Sequence, residues 1–273
     1  MKLLFAIMAV LNWYYIPYES PSSPVEVEGV EVNLKRNELA FTFFSLSDGE
    51  AALIQHGNGE NILLNTGGED TFHELERLLS LFRVSSISSV LITSRDGLSN
   101  LEQVIRKYKV GNILVGKSVQ NLIKADLPAE IKSWKQGDIE EILPSLIAEL
   151  VYEGGEEKEG SDISFQFFHQ HIFYISSASR KAEQQFLSRP LKNVNIVKLP
   201  QYGERDSFSD LLIEHLDPQL AILFHSNEIK PDPDLLEMLH EAWIDVYSTR
   251  QHGTVTIKFT DSNYDVITIL SEE

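Results

Sequence analysis

Cysteine is absent from the 273 residues. Disulfides, thiolate-bound zinc, iron–sulfur clusters and a cysteine nucleophile are therefore excluded, while the redox compartment stays open. Positive charge is scarce: 23 Lys plus Arg stand against 41 Asp plus Glu, a formal net charge of −18. So acidic a body repels a phosphate backbone unless a local basic groove is built, which argues against direct, tight nucleic-acid binding. Glycine and proline number only 15 and 10, too few for a collagenous or low-complexity chain. No apolar run reaches the roughly 20 residues of a spanning helix. What the chain does have is core-forming material: 42% of it is hydrophobic, enough for one large domain or two small ones.

Lys2 precedes an apolar run, Leu3 to Leu11, which continues through Trp13, Tyr14, Tyr15 and Ile16 to a Pro/Ser-rich break at Pro17 to Pro24. This reads as an export signal or a marginal anchor, with membrane association through residues 1–16; the competing reading is a terminal strand or helix packed on the body. Asn12 interrupts the run, no small-x-small cleavage site stands out, and a lipobox is impossible without cysteine. The expected organisation is a signal or anchor with linker over residues 1–24, then a single domain over 25–273.

Beyond Pro24 short apolar runs alternate with amphipathic stretches. Ala40–Ser45, Ala51–His56 and Asn61–Asn65 are strand candidates, with Asn58-Gly59 in the turn joining the last two. Phe72, Leu75, Leu78, Leu79 and Phe82 recur at helical spacing within Asp70 to Val84. Ser89–Thr93 and Asn112–Val115 read as buried strands, with helices at Leu98–Tyr108 and Lys117–Ala125. Glu153 to Ser161 is a solvated loop, and Ile163–Phe168 pairs with Ile172–Ser176 as a hairpin turning at His169-Gln170-His171. Helices at Arg180–Leu187, Phe208–Leu216 and Asp232–Trp243 then alternate with strands at Asn195–Leu199, Gln219–Phe224 and Val246–Tyr247. Gly253–Phe259 and Asp265–Leu270 close the chain as strands. Two β-rich halves, each followed by helices, predict two sheets face to face with helices outside.

The order of local sequences carries a resemblance. Phe41 to Gln55, centred on Ser47-Asp48-Gly49-Glu50-Ala51, resembles the opening of metallo-β-lactamase-fold domains of the competence type, the C-terminal domain of a DNA-uptake channel. There a strand enters a Gly-Gln-Gly-Asp-Ala turn followed by Leu-Ile-Gln. Ile62-Leu63-Leu64-Asn65-Thr66-Gly67 looks like that family's Ile-Leu-Ile-Asp-Thr-Gly, and Val90-Leu91-Ile92-Thr93 like the strand that delivers its metal motif. The ordered series runs from about Phe41 to Phe259, and it implies a four-layer αββα sandwich of two mixed sheets with helices outside.

The family's metal motif is His-x-His-x-Asp-His, whose imidazoles and carboxylate face two adjacent metals that activate a hydroxide. In its place stand Ser94, Asp96, Leu98 and Ser99, with Arg95 beside Asp96. The family's Leu-Thr-Gly-Asp corresponds to Ile175-Ser176-Ser177-Ala178, and its Val-Pro-His-His-Gly to Leu199-Pro200-Gln201-Tyr202-Gly203, with Lys198 and Pro200 kept. Its His-Pro-His-Pro resembles Lys230-Pro231-Asp232-Pro233. The scaffold residues persist and the ligands do not, so no metal or other cofactor is expected.

The resemblance thus implies a non-catalytic relative that binds a partner protein or small molecule through the old cleft, lined by Asn65, Ser94, Asp96, Leu98, Ser99, Ala178, Gln201, Tyr202 and Asp232. It also implies an extracytoplasmic setting, secreted or at the membrane, in keeping with residues 1–16. A second hypothesis keeps catalysis: Asp96, Asp232, Asp48 and Glu50 gather one Mg²⁺ or Mn²⁺ through oxygens, giving a weakened phosphoesterase. A third is a purely structural domain of a membrane machine.

Other constellations weigh less. His169 and His171 read as a solvated hairpin tip, His225 as a hydrogen-bonded residue at a strand end, and His252 as part of a turn. No Gly-x-Ser-x-Gly elbow, Walker motif or Gly-x-Gly-x-x-Gly occurs. Gly67-Gly68 before a helix suggests an anion site, but Glu69 and Asp70 make self-capping the stronger expectation.

Overall fold

The structure is a computed structural model that describes residues 29–270 except 125, 157 and 192; the expected N-terminal signal or anchor lies outside the described residues. Its strands are β1 (Leu39–Phe43), β2 (Ala52–His56), β3 (Asn61–Leu64), β4 (Ser89–Ile92), β5 (Asn112–Gly116), β6 (Glu130–Trp134), β7 (Ile139–Leu143) and β8 (Leu146–Glu153). They continue with β9 (Ser161–Phe167), β10 (Gln170–Tyr174), β11 (Ile196–Lys198), β12 (Leu220–Leu223), β13 (Asp245–Ser248), β14 (Thr254–Phe259) and β15 (Tyr264–Ile269). The helices are α1 (Phe72–Leu81), α2 (Leu101–Tyr108), α3 (Lys117–Gln120), α4 (Arg180–Leu187), α5 (Asp210–Leu216), α6 (Pro233–Glu241) and α7 (Thr249–His252).

One sheet runs β15-β14-β1-β2-β3-β4-β5-β6 and the other β13-β12-β11-β10-β9-β8-β7. Each joins an antiparallel part to a parallel part, β3 to β6 in the first sheet and β10 to β13 in the second. The period of two decides which side chains meet. Leu39, Phe41 and Phe43 of β1 point between the sheets with Phe165, Ile172 and Ile222, and the Phe41 and Phe165 rings meet edge to face at 5.4 Å. The alternate residues face outward: Leu53, Leu63 and Val90 pack on Leu75, Leu79 and Ile105 of α1 and α2. On the far side, Phe173, Val197 and Ala221 pack on Phe186, Leu212 and Leu235 of α4, α5 and α6. These three apolar layers make the αββα sandwich.

Several expectations need correction. The helix expected over Lys117–Ala125 is the single turn α3, followed by turns at Asn121 and Leu122. Strands β6, β7 and β8 fill a stretch for which the sequence predicted no element. β7 reads Ile-Glu-Glu-Ile-Leu on the sheet edge with its first three residues exposed, so charge hides the strand pattern. The hairpin turns at Phe168-His169, and His171 belongs to β10. The helix expected to begin at Leu98 is two pieces, a 3₁₀ turn at Asp96–Leu98 and then α2.

Candidate functional site: a polar cluster between the strand ends

The parallel strands of both sheets end on the same rim of the sandwich, where the carboxyl ends of strands in open α/β sheets deliver ligand-contacting loops. Asn65 follows β3, Thr93 follows β4, Ser176 and Ser177 follow β10, and Lys198 ends β11. Asn65 is fully buried in a left-handed conformation (φ 55°), which an Asx side chain tolerates. Its Oδ1 accepts from the Thr93 amide at 2.9 Å, and its Nδ2 donates to Thr93 Oγ1 at 2.8 Å and to the Tyr174 hydroxyl at 3.3 Å. Ser176 Oγ donates to Thr93 Oγ1 across the sheets at 2.9 Å.

A buried charge pair completes the cluster. Lys198 is 1% exposed; its ammonium forms an ion pair with Glu50, donates to the Ile175 carbonyl at 3.2 Å, and lies 4.8 Å from the Tyr174 ring centroid. Burial pushes the Lys198 pKa down, and Glu50 opposes that shift. The Tyr174 hydroxyl donates to Glu50 at 3.1 Å, and burial, with Glu50 adding to it, holds that phenol far above its usual range. Asp162 at the start of β9 is fully buried; its Oδ1 accepts from the amides of Ser176 at 2.6 Å and Ser177 at 2.9 Å. Its Oδ2 has no hydrogen-bond partner, and burial raises its pKa to about 7.

Gln201, Tyr202 and Gly203 sit at φ 46°, 54° and 71°, three left-handed residues in succession. For the two non-glycines this costs roughly 1–3 kcal/mol each, which the surrounding packing must hold. The Gln201 Nε2 donates to the Ser176 carbonyl at 3.3 Å, and the Tyr202 ring packs against the inter-sheet core. Burial, followed by the charges of Glu50, Asp48 and Asp96, raises the Tyr202 pKa strongly.

The nine residues predicted to line the cleft fall into separate places. Ser94, Asp96 and Gln201 share one cavity of about 490 Å³ together with Arg95, Lys158 and Glu204. Asn65, fully buried in the polar cluster, and Tyr202, half-buried, do not line it. Leu98 and Ser99 line a different cavity of about 520 Å³ against α2. Ala178 and Asp232 line a third, of about 950 Å³, where α4, α5 and α6 begin. There Asp232 caps α6 and lies 3.6 Å from Arg205.

The dinuclear metal centre of the resembled family does not fit these residues. Leu98 offers no donor atom, Ala178 none beyond its backbone, and the Gln201 amide is engaged by Ser176. Of the four carboxylates put forward for an oxygen-ligated Mg²⁺, Glu50 is taken by Lys198 and Tyr174 and Asp232 by its helix cap, while Asp48 and Asp96 lie near Tyr202 with Glu50. Among the described residues no group of three or more His, Asp or Glu side chains is placed to hold a metal ion. Three of the histidines weighed from the sequence are engaged locally, His171 with Ser164 at 2.7 Å, His225 with Asn227 at 3.2 Å and His252 with the Ser248 amide at 3.0 Å. The Gly67 and Gly68 amides donate to the Glu50 and Asp48 carbonyls, so they are spent on a neighbouring loop rather than on Glu69, Asp70 or an anion.

Glu50, Lys198 and Asp162 are the members of the cluster least legible beforehand. The available signal was a lysine set among apolar strand residues, Ile196-Val197-Lys198-Leu199; Asp162, between Ser161 and Ile163, gave none.

Four layers and a rim of loops at the parallel strand ends define the metallo-β-lactamase fold. Solved structures agree. The metallo-β-lactamase fold protein YhfI from Bacillus subtilis aligns with TM-score 0.59 at 10% identity, over 77% of this chain and 96% of its own. Igni18, a metallo hydrolase from the archaeon Ignicoccus hospitalis, aligns with TM-score 0.57 at 13% identity, over 81% of this chain and all of its own. A diphosphatase of the PhnP family aligns with TM-score 0.55 at 14% identity, over 85% of this chain and all of its own. No protein-family model and no curated protein sequence matches the chain. At such identities the likeness concerns the fold. No helix of the described residues is long and apolar enough to cross a membrane.

Proposed function

We propose that this chain is a non-catalytic metallo-β-lactamase-fold protein that captures a partner protein or small ligand in the cavity lined by Ser94, Asp96 and Gln201. One observation carries the reading. Where the resembled family gathers imidazoles and carboxylates for two metals, the cavity of this chain is lined by Ser94, Asp96 and Gln201 with Arg95, Lys158 and Glu204, and no imidazole is among its lining side chains. Arg95 and Asp96, exposed and without side-chain partners among the described residues, offer one charge of each sign to a ligand. An extracytoplasmic setting belongs to the same proposal and rests on the apolar run after Lys2.

The deciding experiment is metal analysis of the purified full chain, followed by titration with Zn²⁺, Mn²⁺ and Mg²⁺ and assay on phosphoester substrates. The expected outcome is no stoichiometric metal and no turnover above that of Asp96→Ala. A tightly held metal lost in Asp96→Ala, with turnover lost alongside, would overturn the reading in favour of an oxygen-ligated phosphoesterase.

A further inference from the structure

Each sheet has two edges, and among the described residues none of the four edge strands has a strand on its outer side: β15 and β6 in the first sheet, β13 and β7 in the second. Such an edge offers unpaired amides and carbonyls to another chain, and charged side chains, bulges or shortness are the usual guards against it. Three of the edges are guarded. β6 exposes Glu130 and Lys132, β7 exposes Glu140 and Glu141 and bulges between Glu141 and Leu143, and β13 is only four residues long with Asp245 exposed. β15 is not guarded in these ways: Tyr264–Ile269 reads Tyr-Asp-Val-Ile-Thr-Ile, with no lysine, proline or register shift, and its one charge, Asp265, faces Lys258 across the hairpin.

The groups that β15 turns outward follow from its hairpin. The Thr260 amide donates to the Asn263 carbonyl at 2.8 Å, and bonded and non-bonded pairs alternate from there along an antiparallel ladder. Asp265, Ile267 and Ile269 therefore bond to Lys258, Thr256 and Thr254, while Tyr264, Val266 and Thr268 turn their N–H and C=O groups away from β14. The side chains alternate as well. Tyr264 and Val266 pack on the inter-sheet core and Ile269 on the helix layer, whereas Ile267, on the same face as Ile269, stays 39% exposed. Leu270, next in the chain, is 71% exposed.

We propose that β15 is the interface for a second copy of this chain: two copies pair antiparallel through β15 about a two-fold axis at Ile267, joining their eight-stranded sheets into one. An axis perpendicular to the sheet keeps every side chain on its own face, and ladder bonds need outward groups opposite outward groups. Both conditions hold when Ile267 faces the partner's Ile267, Val266 the partner's Thr268 and Tyr264 the partner's Leu270. Centring on Val266 also meets them, but it leaves Leu270 beyond the partner's strand. A second copy is the occupant because this register is self-complementary. Asp265 lies opposite the partner's Ile269, so no like charges face each other, and the two exposed apolar residues, Ile267 and Leu270, are the ones that become covered. Each copy carries a formal charge of −18, so the approach is opposed at a distance and the pairing tightens as salt screens it. A contact confined to strand edges is small, which puts the association in the micromolar range. The pairing stands apart from the ligand reading above and uses none of its residues.

The test is sedimentation equilibrium of the full chain at up to about 100 µM protein, in about 0.01 M and about 0.15 M salt. The expected result is a monomer–dimer equilibrium that tightens with salt. It should weaken by at least about tenfold in Ile267→Lys, which sets two ammoniums face to face on the axis, and in Thr268→Pro, which removes an outward amide. Urea unfolding of both variants shows that each is folded when it is weighed. Because the chain has no cysteine, the register can be read directly. Under mild oxidation Ile267→Cys should be captured as a disulfide dimer at least about tenfold faster than Asp265→Cys, whose counterpart lies about 13 Å along the strand. A monomer at both salt concentrations, a dimer untouched by Ile267→Lys and Thr268→Pro, as association through residues 1–16 would give, or equal capture at the two positions would overturn the proposal.

Discussion

Lys198 is a charged residue held inside the sandwich by its neighbours. A buried ammonium is tolerated because Glu50, the Ile175 carbonyl and the face of Tyr174 receive it. Removing one partner of such a pair leaves the other charge uncompensated, so Lys198→Met should destabilise the protein by about 3 kcal/mol. Glu50, whose side chain is 14% exposed, finds some water when left alone, which sets this figure at the lower end for buried pairs. Urea unfolding gives the check, and Lys198→Met with Glu50→Gln should cost less than the sum of the two single changes. A strictly additive result would mean that the pair contributes no coupling. Lys198 stood in plain view in the sequence, yet its partner lies 148 positions away in a loop, and nothing local joins the two.

At the level of elements, the loops of the rim are fastened by side chains rather than by regular structure. Asn100, just before α2, donates its amide to the carbonyls of Thr66 at 2.8 Å and Gly68 at 2.9 Å. Asn100→Ala leaves those buried carbonyls short of donors and should cost about 2 kcal/mol. Ser179 caps α4 by accepting from the Ala182 amide at 3.1 Å, so Ser179→Ala should cost about 1 kcal/mol. Both values can be read from thermal or denaturant unfolding, and the first variant should also raise exchange at Thr66 to Gly68 while the second should not. The helices legible from the sequence, α1, α4 and α6, carry a clear apolar stripe or start signal. Residues 126–153 were not legible, because β7 lies on a sheet edge with its charged residues exposed and so loses the alternation that marks a half-buried strand.

The whole molecule carries its −18 charge on a sandwich whose cores are apolar, so the charge is spread over the surface and repels itself. Raising ionic strength from about 0.01 M to about 0.15 M shortens the Debye length from about 30 Å to about 8 Å and should raise the unfolding midpoint. A midpoint that falls with added salt would show that local pairs such as Lys158–Glu204 outweigh the overall repulsion. The candidate cleft was legible only as a series of positions. Ser94, Asp96 and Gln201 meet at one cavity, whereas Leu98 with Ser99, and Ala178 with Asp232, are carried to others by the 3₁₀ turn after β4 and by the starts of α4 and α6.

By itself the sequence determined the alternating strands and helices, the absence of thiol chemistry and the excess of acidic side chains. Each of these is a property of residue type or of short-range spacing, which a chain carries before it folds. Only the tertiary structure decided that Glu50 closes on Lys198, that Asp162 is buried with one oxygen unpartnered, and that the rim loops are tied together through Ser176. Those contacts join two sheets, and which strand ends face each other is set by sheet order and packing across the core rather than by any local run of residues.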